Sequence, residues 1–238
     1  MYLIPAFTDF YDDTSANPRG DEKFYQSDTV KTTLNRDFFA GGYRENYLPF
    51  VEGIVQRFRA HKRIFAWELG NELKAQQIVG GRQDFLPELF IQFAQAVSNR
   101  IRQLDPSHLI TTGIISTRVL GCNAEQAERL YRLPNLNFVT VHSYDDQNED
   151  DSSVAQKVGK PLIVEEAGFT GGDRAQKTRD DMDKWFGRNA RGYMQWGFMA
   201  TPNDNGDGNR ESGMDHAFHN GDWQRYVDFY RDRAARLG

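Results

Sequence analysis

The stretch Ile64-Phe65-Ala66-Trp67-Glu68-Leu69-Gly70-Asn71-Glu72-Leu73 reads as an apolar strand, Ile64 to Leu69, that closes on an Asn and two acids. A purely structural strand more often ends in a simple turn, so this ending points to a site. The structural alternative is that Asn71 and Glu72 only cap the segment that follows. A second strand of the same kind, Leu162 to Glu166, opens the stretch Leu162-Ile163-Val164-Glu165-Glu166-Ala167-Gly168. Alternation sends the adjacent Glu165 and Glu166 to opposite faces, so only one of them can enter the interior of a closed sheet.

Outward from these two, four more runs read as strands: Tyr2 to Phe7, Leu109 to Ile115, Phe138 to His142 and Gly192 to Phe198. The last four strand starts are 29, 24 and 30 residues apart, the spacing of one strand plus one helix. Helical stripes lie between them. Leu86, Phe90, Phe93, Val97, Ile101 and Leu104 form one, with Asp84 as its expected N-cap and Asp105-Pro106 closing it. A second runs from about Tyr43 to His61 through Tyr47, Phe50, Ile54, Val55 and Phe58, and a third starts near Asp222 and carries Trp223, Tyr226, Val227 and Tyr230. Strands alternating with helices imply a parallel α/β sheet. No internal repeat and no low-complexity linker divides the chain, so residues 1–238 read as one domain. Two long polar loops, Thr8 to Gly42 and Ala200 to Gly221, follow strand C-termini, where a parallel barrel gathers its ligands.

The 238 residues are 39% hydrophobic, the composition of a globular chain, and one α/β barrel takes about 250. With 29 basic against 34 acidic residues the net charge is −5, which offers nucleic acid no basic face. Apolar runs break within about ten residues, short of the roughly 20 that span a bilayer, so no membrane segment is expected. Cys122 stands alone, which excludes an intrachain disulfide and a cysteine metal cluster. The opening Met1-Tyr2-Leu3-Ile4-Pro5-Ala6-Phe7 has neither the charged lead-in nor the cleavage site of a signal peptide. It reads as a buried strand, and the chain as written reads as cytoplasmic, its compartment left open.

Two strand-end carboxylates are what glycoside hydrolysis uses: one acid protonates the leaving oxygen, while a second carboxylate attacks the sugar or activates water. Val139-Thr140-Val141-His142-Ser143-Tyr144 adds an imidazole able to bind a sugar hydroxyl and a phenol able to orient a carboxylate. Tyr193-Met194-Gln195-Trp196 adds an indole that makes a flat platform for a sugar ring. In the loop at 203–208, Asn203, Asn205, Asp207 and Gly208 match positions of a calcium loop. Met214 falls where its bidentate Glu belongs, so the loop reads as shaping a cleft rim.

The order of these motifs resembles the clan A glycoside hydrolases, family 5 in particular. Phe65 to Leu73 is similar to the acid/base motif of its endo-β-mannanases, and Asp105-Pro106-Ser107-His108-Leu109-Ile110-Thr111-Thr112-Gly113 and Phe7-Thr8-Asp9-Phe10-Tyr11-Asp12-Asp13 fit that branch. The resemblance implies a TIM-barrel-like fold and a retaining hydrolase of a β-linked glycan, mannan first and β-glucan next, with no cofactor and no metal. Glu72 would be the general acid/base and Glu166 the nucleophile. Asn71 would bind the 2-hydroxyl beside the scissile bond, His142 and Tyr144 would line the central subsite, and Trp196 would floor subsite −1. The family places an aromatic residue after its nucleophile, where this chain has Ala167.

By the same resemblance Tyr2 to Phe7 corresponds to the third barrel strand. Two βα units are then absent, with the strand-two Arg that supports the family's nucleophile, and what is left is an incomplete (β/α)6 arc. An arc leaves sheet edges open, from which self-association into a homo-oligomer, or an unusual closure, is expected. The alternative reading is a truncated, weakly active or non-catalytic carbohydrate-binding relative. Whether water or a second sugar receives the glycosyl group is open at this level.

Overall fold

The structure, a computed structural model, describes residues 2–9, 36–144, 150–169, 173–196 and 223–237. Two units form: Met1–Val141 with Glu149–Pro161, and His142–Asn148 with Leu162–Gly238.

In the first unit the sheet is parallel throughout its main strands. Residues 2–9 run beside β1 (Ala66–Glu68) through the bridges Leu3 to Ile64, Ala6 to Glu68 and Asp9 to Asn71. β1 pairs with β4 (Leu109–Thr111) in the register Ala66 to Leu109, Trp67 to Ile110 and Glu68 to Thr111. β4 is followed in turn by the start of β5 (Val139–Tyr144), where the Asn137 N–H donates to the Ile110 carbonyl at 2.8 Å. The helices α2 (Tyr47–Phe58), α3 (Pro87–Leu104), α4 (Ala124–Tyr131) and α5 (Ser152–Val158) pack in sequence order, each against the next. That is the βα progression the strand spacing implies.

The core between these helices is aromatic. Phe38 and Phe39 of α1 (Arg36–Ala40) meet Tyr43, Tyr47, Phe90 and Phe93 with ring centroids 5.0 to 6.2 Å apart, mostly edge to face. The sequence reading placed this helix inside a loop, because five residues are too few to show a helical period. On α2 the expected stripe is also corrected. Tyr47, Val51 and Val55, spaced by four, are buried, whereas Phe50 and Phe58 are exposed.

Between β1 and α3 stands an antiparallel hairpin that the sequence reading did not anticipate, β2 (Gln76–Val79) and β3 (Arg82–Phe85). Its turn is Gly80-Gly81, with φ of 58° and 78°, the left-handed pair a two-residue hairpin turn requires. Asp84, expected as an N-cap, therefore lies in β3. The N-cap of α3 is Leu86, with Pro87 in the first turn. The opening segment is likewise not a buried strand: Tyr2 is 67% exposed, and burial begins only at Phe7 and Thr8. β4 stops at Thr111, earlier than expected, because Gly113 turns the backbone to φ 71°.

In the second unit β5, β6 (Leu162–Gly168) and β7 (Ala190–Tyr193) follow one another in the sheet. β6 and β7 are parallel, with a bulge at Leu162/Ile163. The named β7 is shorter at its C-terminal end than the expected strand. Its course is extended along β6 by Met194 N–H to the Val164 carbonyl (2.8 Å) and Trp196 N–H to the Ala167 carbonyl (2.9 Å). α6 (Arg174–Gly187) packs on α7 (Trp223–Leu237) through Arg225 to Asp173 at 2.8 Å, Arg233 to Asp183, and Arg179 over the Phe229 ring. Among the described residues no helix is long and apolar enough to cross a membrane. The loop at 203–208 and most of both expected long loops lie outside the described residues.

Candidate active site

In the first unit, Glu72 sits four residues beyond the end of β1. Its side chain is buried, with 4% of the residue exposed, and its backbone is left-handed at φ 55°. A non-glycine residue rarely adopts that conformation, and where one does the surrounding structure must hold it there. Here the Glu72 N–H donates to the Gly113 carbonyl at 2.7 Å, and the preceding Asn71 N–H donates to the Thr8 carbonyl, also at 2.7 Å. Gly70 makes the turn possible. A Cβ there would stand 2.7 Å from Leu73 Cδ1 and 3.0 Å from Thr8 Cγ2.

Below this turn Glu68 is buried in β1 with its carboxylate under Gly113, where a Cβ would collide with Glu68 Oε1. Burial, and then the Glu68 charge, push the Tyr47 phenol well above its usual value. Tyr47 thus stays protonated and donates to the Leu69 carbonyl at 2.5 Å. On the other face of β1, Trp67 Nε1 donates to Asp105 Oδ2 at 2.8 Å. The same carboxylate meets His108 Nδ1 at 2.6 Å and accepts from the Ser107 N–H at 2.9 Å. Burial alone would raise the Asp105 carboxyl, but the bonds from Trp67, Ser107 and His108 together outweigh it and hold it below the usual range.

In the second unit, Tyr144 O–H donates to Glu166 Oε2 at 2.5 Å, and His142 Nδ1 stands 3.5 Å from the same oxygen. His142 and Tyr144 are two apart on β5 and so share a face; Glu166 meets them from β6. Glu165, its neighbour, is buried on the opposite face. The backbone of Trp196 is fixed beside this point by its bond to Ala167, with the indole half-buried. A carboxylate held by a phenol and an imidazole at a strand end is fixed in orientation, as a nucleophile must be.

The sequence reading missed what lies behind β5. Ser143 Oγ donates to Asp181 Oδ1 at 3.0 Å and accepts from Trp185 Nε1 at 3.0 Å, while Tyr193 O–H donates to Asp181 Oδ2 at 3.0 Å. Burial first, and the Asp181 charge second, push the Tyr193 phenol well above its usual value. The available signal was an acid on the inward stripe of α6, among Ala175, Thr178, Met182 and Trp185.

The chain has a TIM-barrel-like fold, incomplete beside its solved neighbours, as comparison with solved structures establishes. The endo-1,4-β-D-mannanase of Thermotoga petrophila RKU-1 superposes with a TM-score of 0.73 at 18% identity, over 99% of this chain and 75% of that one. The endo-1,4-β-mannanase of Rhizomucor miehei gives 0.73 at 15% identity, over 99% and 72%. Residues 13–205 match the family described as cellulase (glycosyl hydrolase family 5), and the chain belongs to that family. Among its relatives, a probable mannan endo-1,4-beta-mannosidase C of Aspergillus terreus is 29% identical over 154 residues, 53% of this chain and 37% of that protein. Mannan endo-1,4-beta-mannosidase A of Podospora anserina is 25% identical over 190 residues, 69% of this chain and 49% of that protein. The chain thus spans less than half the length of these curated relatives.

Proposed function

We propose that this chain is a retaining β-glycoside hydrolase, with β-mannan its favoured substrate and β-glucan next. Glu166 attacks the anomeric carbon, and Glu72 protonates the departing oxygen and then activates water. The observation that carries the reading is the convergence of Tyr144 and His142 on one oxygen of Glu166, which fixes the carboxylate in orientation at the end of β6. The relatives named mannan endo-1,4-beta-mannosidase support the choice of substrate. A retaining mechanism requires the two carboxyl groups about 5 to 5.5 Å apart. Asn71 binds the 2-hydroxyl in this scheme, and Trp196 stacks on the ring at subsite −1.

The test is release of reducing sugar from β-mannan and from β-glucan by the chain and by its Glu166→Gln variant. Turnover on mannan that the variant abolishes while its fold persists is the expected result. Full turnover by Glu166→Gln sinks the assignment, and binding of mannan without turnover by the parent favours the non-catalytic reading. Self-association covering exposed Tyr2, Leu3 and Phe65 belongs to the same proposal. Sedimentation showing only monomer at micromolar concentration counts against it.

A further inference from the structure

Ser143 lies between the two residues that touch Glu166, and alternation turns its side chain to the opposite face of β5. There it meets a buried polar group that the proposed chemistry does not use. Ser143 is 3% exposed and Asp181 7%, and Trp185 is fully buried. A carboxylate at such a depth costs several kcal/mol unless it is well bonded. Among the described residues Asp181 has three partners, from three places: Ser143 Oγ on β5 at 3.0 Å, Tyr193 O–H on β7 at 3.0 Å, and Lys184 Nζ one turn along α6 at 2.5 Å. The Ser143 hydroxyl is itself bonded twice, since Trp185 Nε1 donates to it. One serine thus ties the end of β5 to α6, directly behind the peptide units that carry His142 and Tyr144.

The consequence is positional. The Tyr144 bond to Glu166 is short, at 2.5 Å, and the His142 contact stands at 3.5 Å. A shift of β5 by about 1 Å would stretch the Tyr144 bond past the usual O–H···O range of about 2.5 to 3.0 Å and take His142 out of contact with Glu166. Backbone pairing with β6 restrains β5 along the sheet, whereas the Ser143 bonds restrain it toward the helix layer. We propose that Ser143 and Asp181 are a positioning pair, which touches no substrate and sets the distance from Tyr144 and His142 to Glu166. The proposal rests on reading Glu166 as the nucleophile.

Three variants test it: Ser143→Ala, Asp181→Asn and, as the control, Lys184→Met, which removes a partner of Asp181 without touching β5. The first readout is kcat and KM on β-mannan and on a dinitrophenyl β-glycoside, whose leaving group needs no proton. Ser143→Ala and Asp181→Asn are expected to lower kcat about 10- to 100-fold with KM changed less than twofold. The loss should be equal on the aryl glycoside, because a defect passed to Glu166 remains when acid assistance is not needed. Lys184→Met should leave both constants within twofold. The second readout needs no turnover: side-chain 15N spectra of the five histidines, with His142 assigned by substitution. Its ring signals should move in Ser143→Ala and Asp181→Asn and stay in Lys184→Met.

A Ser143→Ala protein that melts earlier, yet keeps kcat and the His142 signals, overturns the pair and leaves a structural contact only. Asp181→Asn retains an acceptor and decides the matter if the alanine variant does not fold. An inactive parent whose His142 signals still move in both variants refutes the glycosidase reading while supporting the positioning pair. An active parent with unmoved signals does the reverse.

Discussion

Replacing Gly113 with Ala tests the account of how Glu72 is held. Gly113 stands at φ 71°, where a side chain costs about 1 kcal/mol. The new Cβ would also fall 2.6 Å from both Cγ and Cδ of Glu68 and closer still to its Oε1. Glu68 is buried and cannot swing into solvent, so the neighbours must shift, an overpacking that costs about 1 to 3 kcal/mol. Together these destabilise by about 2 to 4 kcal/mol. At roughly 2 to 4 °C per kcal/mol for a chain of this size, Tm should fall by about 5 to 15 °C. The damage should reach activity as well, because the Gly113 carbonyl accepts the Glu72 N–H at 2.7 Å. A displacement of about 1 Å there lowers the rate on mannan by about 100-fold at temperatures where the variant is folded. Differential scanning calorimetry and reducing-sugar release measure the two effects. A Tm within 2 °C of the parent's with an unchanged rate would show that Gly113 neither needs its left-handed backbone nor positions Glu72.

Tyr144→Phe removes the donor to Glu166 Oε2, a charge-assisted bond worth about 1.5 to 3 kcal/mol. It should lower kcat about 10- to 100-fold and Tm by about 3 to 12 °C; a rate within twofold of the parent contradicts the role. Glu72→Asn places at φ 55° a residue that tolerates the left-handed region. It should raise Tm by about 1 to 3 °C while abolishing turnover, and a lower Tm would mean that the backbone there is not strained. The Asp105 carboxyl is held below its unfolded value, so the stability it contributes is fully present above about pH 4 and is lost as pH falls through the lower, folded value. Asp105→Asn should therefore melt below the parent at pH 7, with the gap narrowing as the pH is taken from about 4 toward 2. A gap that is constant with pH refutes the charge-based account.

Much of the site's outline is legible in the residues themselves. Glu72 and Glu166 end apolar runs, and the period-two alternation of His142, Ser143 and Tyr144 already separates two faces of β5. That Tyr144 and His142 turn toward Glu166 and away from Glu165 is a matter of register between strands, which no single strand encodes. Asp181 escaped because an acid in a helix reads as solvent-facing until the burial of its neighbours is known. The fold was legible where periodicity runs long, as in α3, which ends at Leu104 just ahead of Asp105-Pro106. Reading failed where elements are short. α1 has five residues, and the hairpin announces itself only by Gly80-Gly81, a turn signal that the apolar stripe of α3 overshadowed. Phe50 and Phe58 failed for a different reason. They are aromatic, but the face that packs on α3 follows Tyr47, Val51 and Val55.

The adjacent acids of β6 bear on how this strand tolerates changes of length. With its start still paired, one residue inserted ahead of Val164 would carry Glu165 into the place now held by Glu166, beneath Tyr144. A carboxylate would again meet the phenol, but every apolar side chain beyond the insertion would change faces, and Ala167 and Gly168 would stand one step further along. The double Glu thus offers a chemical spare that the packing refuses. In laboratory evolution, length changes in residues 162–164 should be purged for lost folding before they are purged for lost chemistry.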